Sequence, residues 1–309
     1  MAENYGLPYA GSKSRIAHWV IDNLPRGRVL IDAFAGGCAI THRALLSQKW
    51  QTIIANDING KYTQLFADAM RGKYRDEKRW ISREDFERLK SKDAFVACCW
   101  SFGNNLQYYM YSQGIEPYKR ALHYAIVFDD FAPMQELMPE VAQAVHDALQ
   151  GQNNLHDRRI TAQKVIVKTL KRLTDENFAH PVIQNNPFYQ TIRHTSKNTP
   201  SLNSLERLQS LRVASLSYDE IDIPDDAVVY CDPPYHASDK RLYESTAKAF
   251  DHCAFYDWCV RVSKTNPIFI SEYSIEDDRF EVVAEKSKMT SMSQKTAFNV
   301  TERLYTVKQ

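Results

Sequence analysis

The sequence of 309 residues lacks the features that mark membrane, secreted and repetitive proteins. It has no apolar run of the roughly 20 residues that a membrane-spanning helix needs, and its first residues lack the zones of a secretory signal peptide. It contains no internal repeat and no low-complexity tract. The charged fraction of 25% and the hydrophobic fraction of 44% are typical of a folded globular protein. We therefore expect a cytoplasmic protein with one large domain or two ordinary ones.

The chain also lacks a cysteine pattern for metal binding or disulfides. No two cysteines form the CxxC pair that zinc sites commonly use, and two of the six are adjacent in the sequence. This pattern favours reduced and mostly buried thiols. The cysteines are Cys38, Cys98, Cys99, Cys231, Cys253 and Cys259.

Net charge is nearly absent, at +1, and does not by itself indicate a nucleic-acid partner, but the charges are unevenly distributed. Residues 128–148 hold five acids and no Lys or Arg, whereas residues 151–212 hold ten Lys and Arg against four acids. On a helix, Lys164, Lys168 and Lys171 would share one face, opposite an apolar face. A solvated helix face and a phosphate-binding face would both show this pattern.

The order of apolar runs predicts a doubly wound α/β fold. Three strand-like runs end in polar or acidic residues, and each is followed by Gly or Pro and then by a helix-like pattern. These runs are RVLID (28–32), QTIIAND (51–57) and AVVYCD (227–232). Such alternation is typical of a parallel sheet with helices on its faces, which binds ligands beyond the carboxyl ends of the strands. A fourth strand is predicted at 267–273, with an antiparallel pair at 280–284 and 303–307.

The long gap between the second and third of these strands predicts an inserted domain. The segment from Asp57 to Asp232 is far too long for one crossover connection. We expect a catalytic domain formed by residues 1–67 and 201–309, and a mainly helical inserted domain at 68–200.

A glycine-rich turn follows the first predicted strand. In IDAFAGGCAI (31–40), the strand ends at Asp32 and a glycine pair lets the backbone approach a ligand. Several kinds of nucleotide-binding protein share such a turn, and ordinary turns resemble it. Asp57 ends the next strand about where an acid would meet the hydroxyls of a ribose. Together these features suggest a cofactor that contains adenosine.

The segment GLPYAGSKS (6–14) resembles a phosphate-binding loop but does not match one. Such a loop needs adjacent Gly and Lys after a strand, whereas Ser12 separates Gly11 from Lys13 and only five residues precede Gly6. This mismatch argues against an ATPase. Lys13 remains a cation near a turn that can meet a carboxylate.

The stretch VVYCDPPY (228–235) suits the chemistry of methylating an amino group on a nucleobase. Its prolines cannot donate to a sheet, so they end the strand after Asp232 in a stiff turn. The amine of a base is a poor nucleophile, and catalysis requires acceptors for its hydrogens and for the developing positive charge. The carboxylate of Asp232 and the carbonyl of Pro233 are suitable acceptors, Pro234 stiffens the turn, and Tyr235 offers a stacking surface. A proline turn with an incidental Asp is the alternative.

These motifs resemble those of a known family. VVYCDPPY is similar to motif IV of the amino-methyltransferases that use S-adenosylmethionine. PYAGSK, DAFAGG and ANDIN resemble motifs X, I and II of the alpha group of DNA adenine-N6 methyltransferases, the Dam-type family. All four occur in the order of that family, over about half of the chain. The resemblance implies a Rossmann-like methyltransferase sheet with an inserted target-recognition domain.

The resemblance also implies which residues bind S-adenosylmethionine. The positions that match cofactor-binding positions of the family are Tyr9, Lys13, Asp32, Phe34, Gly36, Asp57, Tyr218 and Asp232. Of these, Lys13 would lie near the methionine carboxylate, Asp57 would bind the ribose, and Tyr218 would lie beside the adenine ring. An aromatic face near the sulfonium would stabilise it, and Phe34 is a candidate. Family members often have a glycine where this chain has Cys38.

The inserted domain resembles the family only at WSFGNNLQYYMY (100–111). There Asn104 and Asn105 match a loop that Dam-type enzymes place against DNA, and amides can hydrogen-bond to adenine edges. The Arg-Tyr-Asn run of many relatives is replaced by tyrosines, of which Tyr108 and Tyr111 are candidate DNA contacts. An aromatic core patch explains each tyrosine equally well. Lys164 and Lys168 are candidate phosphate contacts.

The implied activity is methylation of adenine N6 in double-stranded DNA, with the target base flipped out of the helix into the pocket. No metal and no obligate protein partner are expected, and no nuclease signature is visible, which favours a stand-alone methyltransferase. Two alternatives stay open. An RNA or protein amino-methyltransferase could use the same turn, and a DNA-binding protein could retain an inactive cofactor site.

Overall fold

The computed structural model describes residues 5–9, 11–74, 76–174, 210–235, 250–293 and 296–309, without the side chains of 171–174 and 288–300. Its contacts divide the chain into two compact units. Unit 1 contains Met1–Arg75, Lys92–Cys99 and Pro200–Gln309, and unit 2 contains Asp76–Ser91 and Trp100–Thr199. In this division the first segment of unit 1 ends at Arg75, and a short helix from the predicted insertion packs in unit 1. The predicted catalytic and inserted domains stay a prediction. The predicted boundary at 200 falls outside the described residues.

Unit 1 contains a seven-stranded, mostly parallel sheet in a mixed α/β arrangement. Its strands are β1 (Gly27–Asp32), β2 (Trp50–Asn56), β3 (Leu211–Ala214), β4 (Val228–Cys231), β5 (Ile268–Glu272), β6 (Phe280–Ser293) and β7 (Thr296–Val307). The order across the sheet is β3-β2-β1-β4-β5-β7-β6. The first five strands are parallel, and β7 pairs antiparallel with β5 and with β6. The four predicted strands and the predicted antiparallel pair are confirmed, the pair being longer than expected; β3 was not predicted.

Helices cover both faces of this sheet. The helices that the structure describes in unit 1 are α1 (Ala17–Asn23), α2 (Ala39–Ser47), α3 (Gly60–Met70), α5 (Ala94–Cys99) and α10 (His252–Val262). On one face, Ile31, Val229 and Ile270 pack with Phe255 and Trp258 of α10. On the other face, Asp32 bonds to Thr41 of α2. The doubly wound arrangement predicted from the sequence is therefore confirmed.

Unit 2 is helical in the part of the chain that the structure describes. It contains α4 (Arg83–Leu89), α6 (Glu116–His123), a π-helical turn (Tyr124–Phe128), α7 (Ala132–Leu137), α8 (Pro139–Leu149) and α9 (Leu155–Thr174). Ile166 and Leu170 of α9 pack against Val141 and Val145 of α8, which explains the apolar face of the α9 sequence.

A buried arginine stabilises the ends of two helical segments in unit 2. Arg158 donates to the carbonyls of Ala125 at 2.9 Å, Ile126 at 2.8 Å and Gln152 at 3.0 Å. Its guanidinium also pairs with Asp129 at 2.6 Å. Carbonyls at helix carboxyl ends have no partner within the helix, so a buried fork of donors satisfies them.

Candidate active site

The predicted acids meet at one edge of the unit 1 sheet. Strand β1 lies between β2 and β4, so the carboxyl ends of the three strands are neighbours. Asp32 ends β1, Asp57 follows β2 and Asp232 follows β4. This edge is where parallel α/β sheets bind ligands.

The segment around PYAGSK packs on the glycine-rich turn. The Leu7 amide donates to the carbonyl of Gly37 at 2.7 Å, and the Gly6 amide donates to Nδ1 of His42 at 3.0 Å. Burial lowers the pKa of His42 to about 4, so its ring is neutral and can accept. A Cβ on Gly37 would lie 2.5 Å from Cβ of Tyr9, so only glycine allows this approach. Two segments predicted to bind the cofactor are thereby joined.

Cys38 adopts a backbone conformation that favours glycine. Its φ of 61° and ψ of 33° are left-handed, at the residue that precedes α2. Its side chain is buried. This conformation explains why the family that the chain resembles often has a glycine at this position. Cys38 adopts it at a conformational cost of about 1 kcal/mol.

We expect Cys38→Gly to be about 1 kcal/mol more stable to unfolding than Cys38→Ala. Both changes remove the buried sulfur, but only glycine relieves the left-handed strain. Alanine is normally the more stabilising residue of the two. Urea unfolding of both variants would measure the difference, and greater stability of the alanine variant would contradict the expected cost at this position.

Asp57 organises the glycine-rich turn. Its Oδ2 accepts from the amide of Gly36 at 2.9 Å, and its Oδ1 accepts from the amide of Asn59 at 2.8 Å. Ile58, which lies between Asp57 and Asn59 in the sequence, is 79% exposed. The turn therefore combines a fixed carboxylate with an apolar surface that sequence reasoning missed.

Asn56, also missed, joins three segments at this edge. Its amide group donates to the carbonyls of Ala33 at 3.1 Å and Leu216 at 3.0 Å. Its side-chain oxygen accepts from the amide of Leu216 at 3.0 Å. The signal in the sequence was a polar residue at the end of an apolar strand, directly before Asp57. Its three hydrogen bonds fix the carboxyl end of β2 and the segment that follows β3.

Asp32 is buried rather than open to the edge. Its Oδ2 accepts from the Thr41 hydroxyl at 2.6 Å and from the Thr41 amide at 3.1 Å. Its Oδ1 has no hydrogen-bond partner among the described residues. Burial raises the pKa of this carboxyl to about 7. Its role as a cofactor ligand stays a prediction.

Phe34 and Tyr218 lie together, as expected if both border one cofactor. Their rings stack with centroids 5.6 Å apart, and Phe250, Phe255 and Trp258 surround them. Both rings are half-buried. The cluster connects the turn after β1 with the 3₁₀ turn that begins at Tyr218.

Asp232 forms an ion pair with Lys13. Oδ1 of Asp232 lies 3.0 Å from Nζ of Lys13, and both side chains are largely buried. Burial raises the pKa of the Asp232 carboxyl, Lys13 opposes this rise and Glu302 adds to it. Burial lowers the pKa of Lys13, but Asp232 and Glu302 raise it above its usual value. The ammonium is therefore held charged beside the carboxylate.

Tyr235 completes this group of side chains. Nζ of Lys13 lies 4.2 Å from the centre of the Tyr235 ring. The Tyr235 hydroxyl donates to Oε1 of Glu302, and Tyr273 packs on the ring at 4.6 Å. Pro233 is buried and Pro234 is half-buried between the two functional side chains. The residues predicted as catalytic thus share one site with Lys13, Glu302 and Tyr273.

Comparison with known proteins finds one matching family. Residues 9–136 match the family described as D12 class N6 adenine-specific DNA methyltransferase. Over this segment the chain is similar to this methyltransferase family. Its members act on adenine N6 in DNA and use S-adenosylmethionine as the methyl donor.

Two further comparisons add little to this assignment. A candidate methylase from Haemophilus influenzae is similar in structure at 9% identity, over 94% of this chain and 85% of that chain, with a TM-score of 0.29. No curated protein matched the sequence.

Residues at this edge of the sheet fit S-adenosylmethionine by their chemistry. The carboxylate of Asp57 suits ribose hydroxyls, and the exposed side chains of Ile58 and Leu216 suit the faces of an adenine ring. The unpaired oxygen of Asp32 suits an amino group.

None of the described helices has the length and apolar character needed to cross a membrane.

The loop at WSFGNNLQYYMY (100–111) forms a closed turn in unit 2. The Phe102 amide donates to the Tyr108 carbonyl at 2.7 Å, and Oδ1 of Asn105 accepts from the amides of Gln107 and Tyr108. The backbone of Asn104 is left-handed, with a φ of 57°. Phe102 and Tyr108 are each 66% exposed. Sequence reasoning missed Phe102, although its pairing with Tyr108 forms one apolar surface.

The other predicted DNA contacts divide into buried and exposed residues. Tyr111 stacks on Trp80 at 5.8 Å, and burial raises its pKa to about 12. Lys164 and Lys168 are exposed on α9, whereas the side chain of Lys171 lies outside the described residues. Tyr111 therefore supports the aromatic core, and Lys164 and Lys168 are open to solvent.

Proposed function

We propose that this protein transfers a methyl group from S-adenosylmethionine to N6 of an adenine that is flipped out of double-stranded DNA. The observation that carries the proposal is the grouping of Asp232, Tyr235 and Lys13 at the sheet edge that also holds Asp57. A duplex hides N6 inside the base stack, so the base must leave the helix at a cost of a few kcal/mol. Action on DNA agrees with the cytosolic location expected from the sequence.

Asp232 and the carbonyl of Pro233 accept hydrogen bonds from the target amine. Lys13 lowers the pKa of Asp232 and so favours its carboxylate form, although burial still keeps that pKa above its usual value. A preorganised carboxylate stabilises the positive charge that develops on N6 without a rearrangement of solvent. The stiff proline turn keeps both acceptors in place, so little orientation is lost during the reaction.

Tyr235 supplies the stacking surface for the flipped base. Its hydroxyl bonds to the buried Glu302, so the plane of the ring is fixed from behind. Stacking of a base on an aromatic side chain contributes about 1–3 kcal/mol, which offsets part of the cost of flipping.

Asp57, Gly36 and the aromatic pair of Phe34 and Tyr218 hold the cofactor. Asp57 receives the ribose hydroxyls while it keeps the Gly36 amide in place. Bound S-adenosylmethionine supplies an electrophilic methyl group on a positively charged sulfur. An aromatic face such as Phe34 would stabilise that charge.

Unit 2 recognises the DNA. The exposed pair of Phe102 and Tyr108 can insert between bases, and Asn104 beside them can hydrogen-bond to base edges. Lys164 and Lys168 contact phosphates, a contribution that weakens as salt rises. Tyr111 acts through the aromatic core that supports this loop.

The test is a transfer assay with S-adenosylmethionine labelled on its methyl group. Purified protein is offered unmethylated duplex DNA, RNA and protein side by side, and the products are identified by mass spectrometry. We expect label in duplex DNA as N6-methyladenine. Label in RNA or protein instead would contradict the proposal, and failure to bind S-adenosylmethionine in calorimetry would indicate a DNA-binding protein with an inactive cofactor site.

A further inference from the structure

Glu302 is a buried acid that belongs to none of the sequence motifs. It lies on β7 with 0% of its side chain exposed, 70 residues after Asp232 in the sequence. An uncompensated carboxylate in such a place costs several kcal/mol. The position of Glu302 beside the Asp232 carboxylate must therefore be explained by the groups that Glu302 contacts.

Glu302 contacts two of the side chains that would meet the target base. Its Oε1 lies 3.4 Å from Nζ of Lys13 and accepts from the Tyr235 hydroxyl. Lys13 comes from the amino-terminal segment and Tyr235 from the catalytic turn, so Glu302 joins two distant parts of the chain. Hydrogen bonds to charged groups are about twice as strong as neutral ones, which favours a fixed ring over a mobile one.

The position of Lys13 gives Glu302 a second task. In the protein alone, the ammonium lies against both the Asp232 carboxylate and the Tyr235 ring, which are the two groups that an incoming adenine would use. An incoming amine would therefore compete with Lys13 for this carboxylate and this ring. Glu302 is the second carboxylate within reach, at 3.4 Å, and can retain the ammonium without exposing it to water.

We propose that Glu302 is a positioning residue for methyl transfer: it fixes the Tyr235 ring through the hydroxyl and retains Lys13 when the target amine takes the Asp232 carboxylate. This inference rests on the proposed roles of Asp232 and Tyr235. It goes beyond the family motifs, because Glu302 lies outside each of the four segments that resemble them.

The variant Glu302→Gln tests the proposal, because it keeps the shape and an acceptor oxygen but removes the charge. We expect the KM for unmethylated plasmid DNA to rise about fivefold, because the Tyr235 hydroxyl then donates to a neutral acceptor and such a bond is about half as strong as one to a charged group. We also expect a lower kcat, since Lys13 then stays on Asp232. The affinity for S-adenosylmethionine, measured by calorimetry, should stay at the wild-type value.

A double-mutant cycle with Tyr235→Phe separates positioning from general damage. If Glu302 acts through the Tyr235 hydroxyl, the double variant should have a KM for DNA clearly below the product of the two single effects. The proposal would be overturned if the KM effects of the two single variants multiplied in the double variant. It would also be overturned if Glu302→Gln kept the wild-type KM and kcat, or if that variant lost affinity for S-adenosylmethionine as much as for DNA. Tyr235→Phe leaves both charges of the Lys13–Glu302 pair intact and removes the hydroxyl that bonds to Glu302 and also lowers the pKa of Asp232. If Glu302→Gln does not fold, a wild-type KM for DNA in Tyr235→Phe would overturn the proposed role of the hydroxyl.

The control is Glu281→Gln. Glu281 is an exposed acid on the outer strand β6, where it pairs with Thr306 of β7. We expect this variant to keep the wild-type KM for DNA. Wild-type activity and Asp232→Ala are measured in the same assay, so failure of the proposed function would be seen there and not confused with failure of the role of Glu302.

Discussion

Asp232→Ala is expected to lower the rate of methyl transfer to DNA by about 10²–10³-fold, which is the usual cost of removing one preorganised group that stabilises transition-state charge. The carboxylate is the acceptor nearest to Lys13 and precedes the stiff proline turn, so no neighbouring side chain on the turn can replace it. Single-turnover rates with labelled S-adenosylmethionine and unmethylated plasmid DNA would measure the loss.

This variant is expected to fold, because Lys13 keeps Glu302 as a partner at 3.4 Å. Its affinity for S-adenosylmethionine should change less than its rate, since Asp57 and the glycine-rich turn lie at other strand ends. Asp225→Ala is the matched control, because Asp225 is an exposed acid just before β4. Near-normal methylation by folded Asp232→Ala would show that the turn does not supply the essential acceptor.

The catalytic turn could be predicted from the sequence because the residues that define it are neighbours in the chain. Asp232, the prolines and Tyr235 are consecutive, and a buried strand before them fixes where they point. The same holds for Asp57, whose place at the end of β2 follows from one apolar run. In each case the residue type and the end of the strand are visible within a few positions.

Glu302 could not be predicted because the residues that it contacts are far from it in the sequence. In TERLYTV it reads as an ordinary polar position of a strand, and only the pairing of β7 with β5 brings it to the catalytic edge. Strand β3 was missed for a related reason, because its four residues pair in parallel with β2 across a gap of more than 150 positions. Parallel neighbours leave no turn signal between them in the sequence.

The unit boundary shows a further limit of sequence reasoning. The segment Ala94–Cys99 lies inside the predicted insertion, yet Cys98 donates to the carbonyl of Pro8 at 2.9 Å within unit 1. Its apolar sequence would suit the core of either unit. Only the contacts of the folded chain decide between them, and the roles of the two units in catalysis and recognition stay predictions.

Asp57→Ala is expected to weaken the binding of S-adenosylmethionine by about 100-fold, or about 2.7 kcal/mol. The carboxylate loses its proposed bonds to the ribose, and the amides of Gly36 and Asn59 lose their acceptor, so the turn against the cofactor is less ordered. Calorimetric titration would measure the change, with the exposed Asp222→Ala as the control.

The same variant separates cofactor binding from catalysis. Asp57 lies at the end of β2 and Asp232 at the end of β4, so a defect confined to binding should disappear when the cofactor is saturating. We therefore expect kcat for Asp57→Ala to return to within a few-fold of wild type at high S-adenosylmethionine, whereas kcat for Asp232→Ala stays low. A low kcat at saturation would mean that Asp57 also orients the methyl group, because the ribose contact then contributes to alignment in the transition state as well as to affinity.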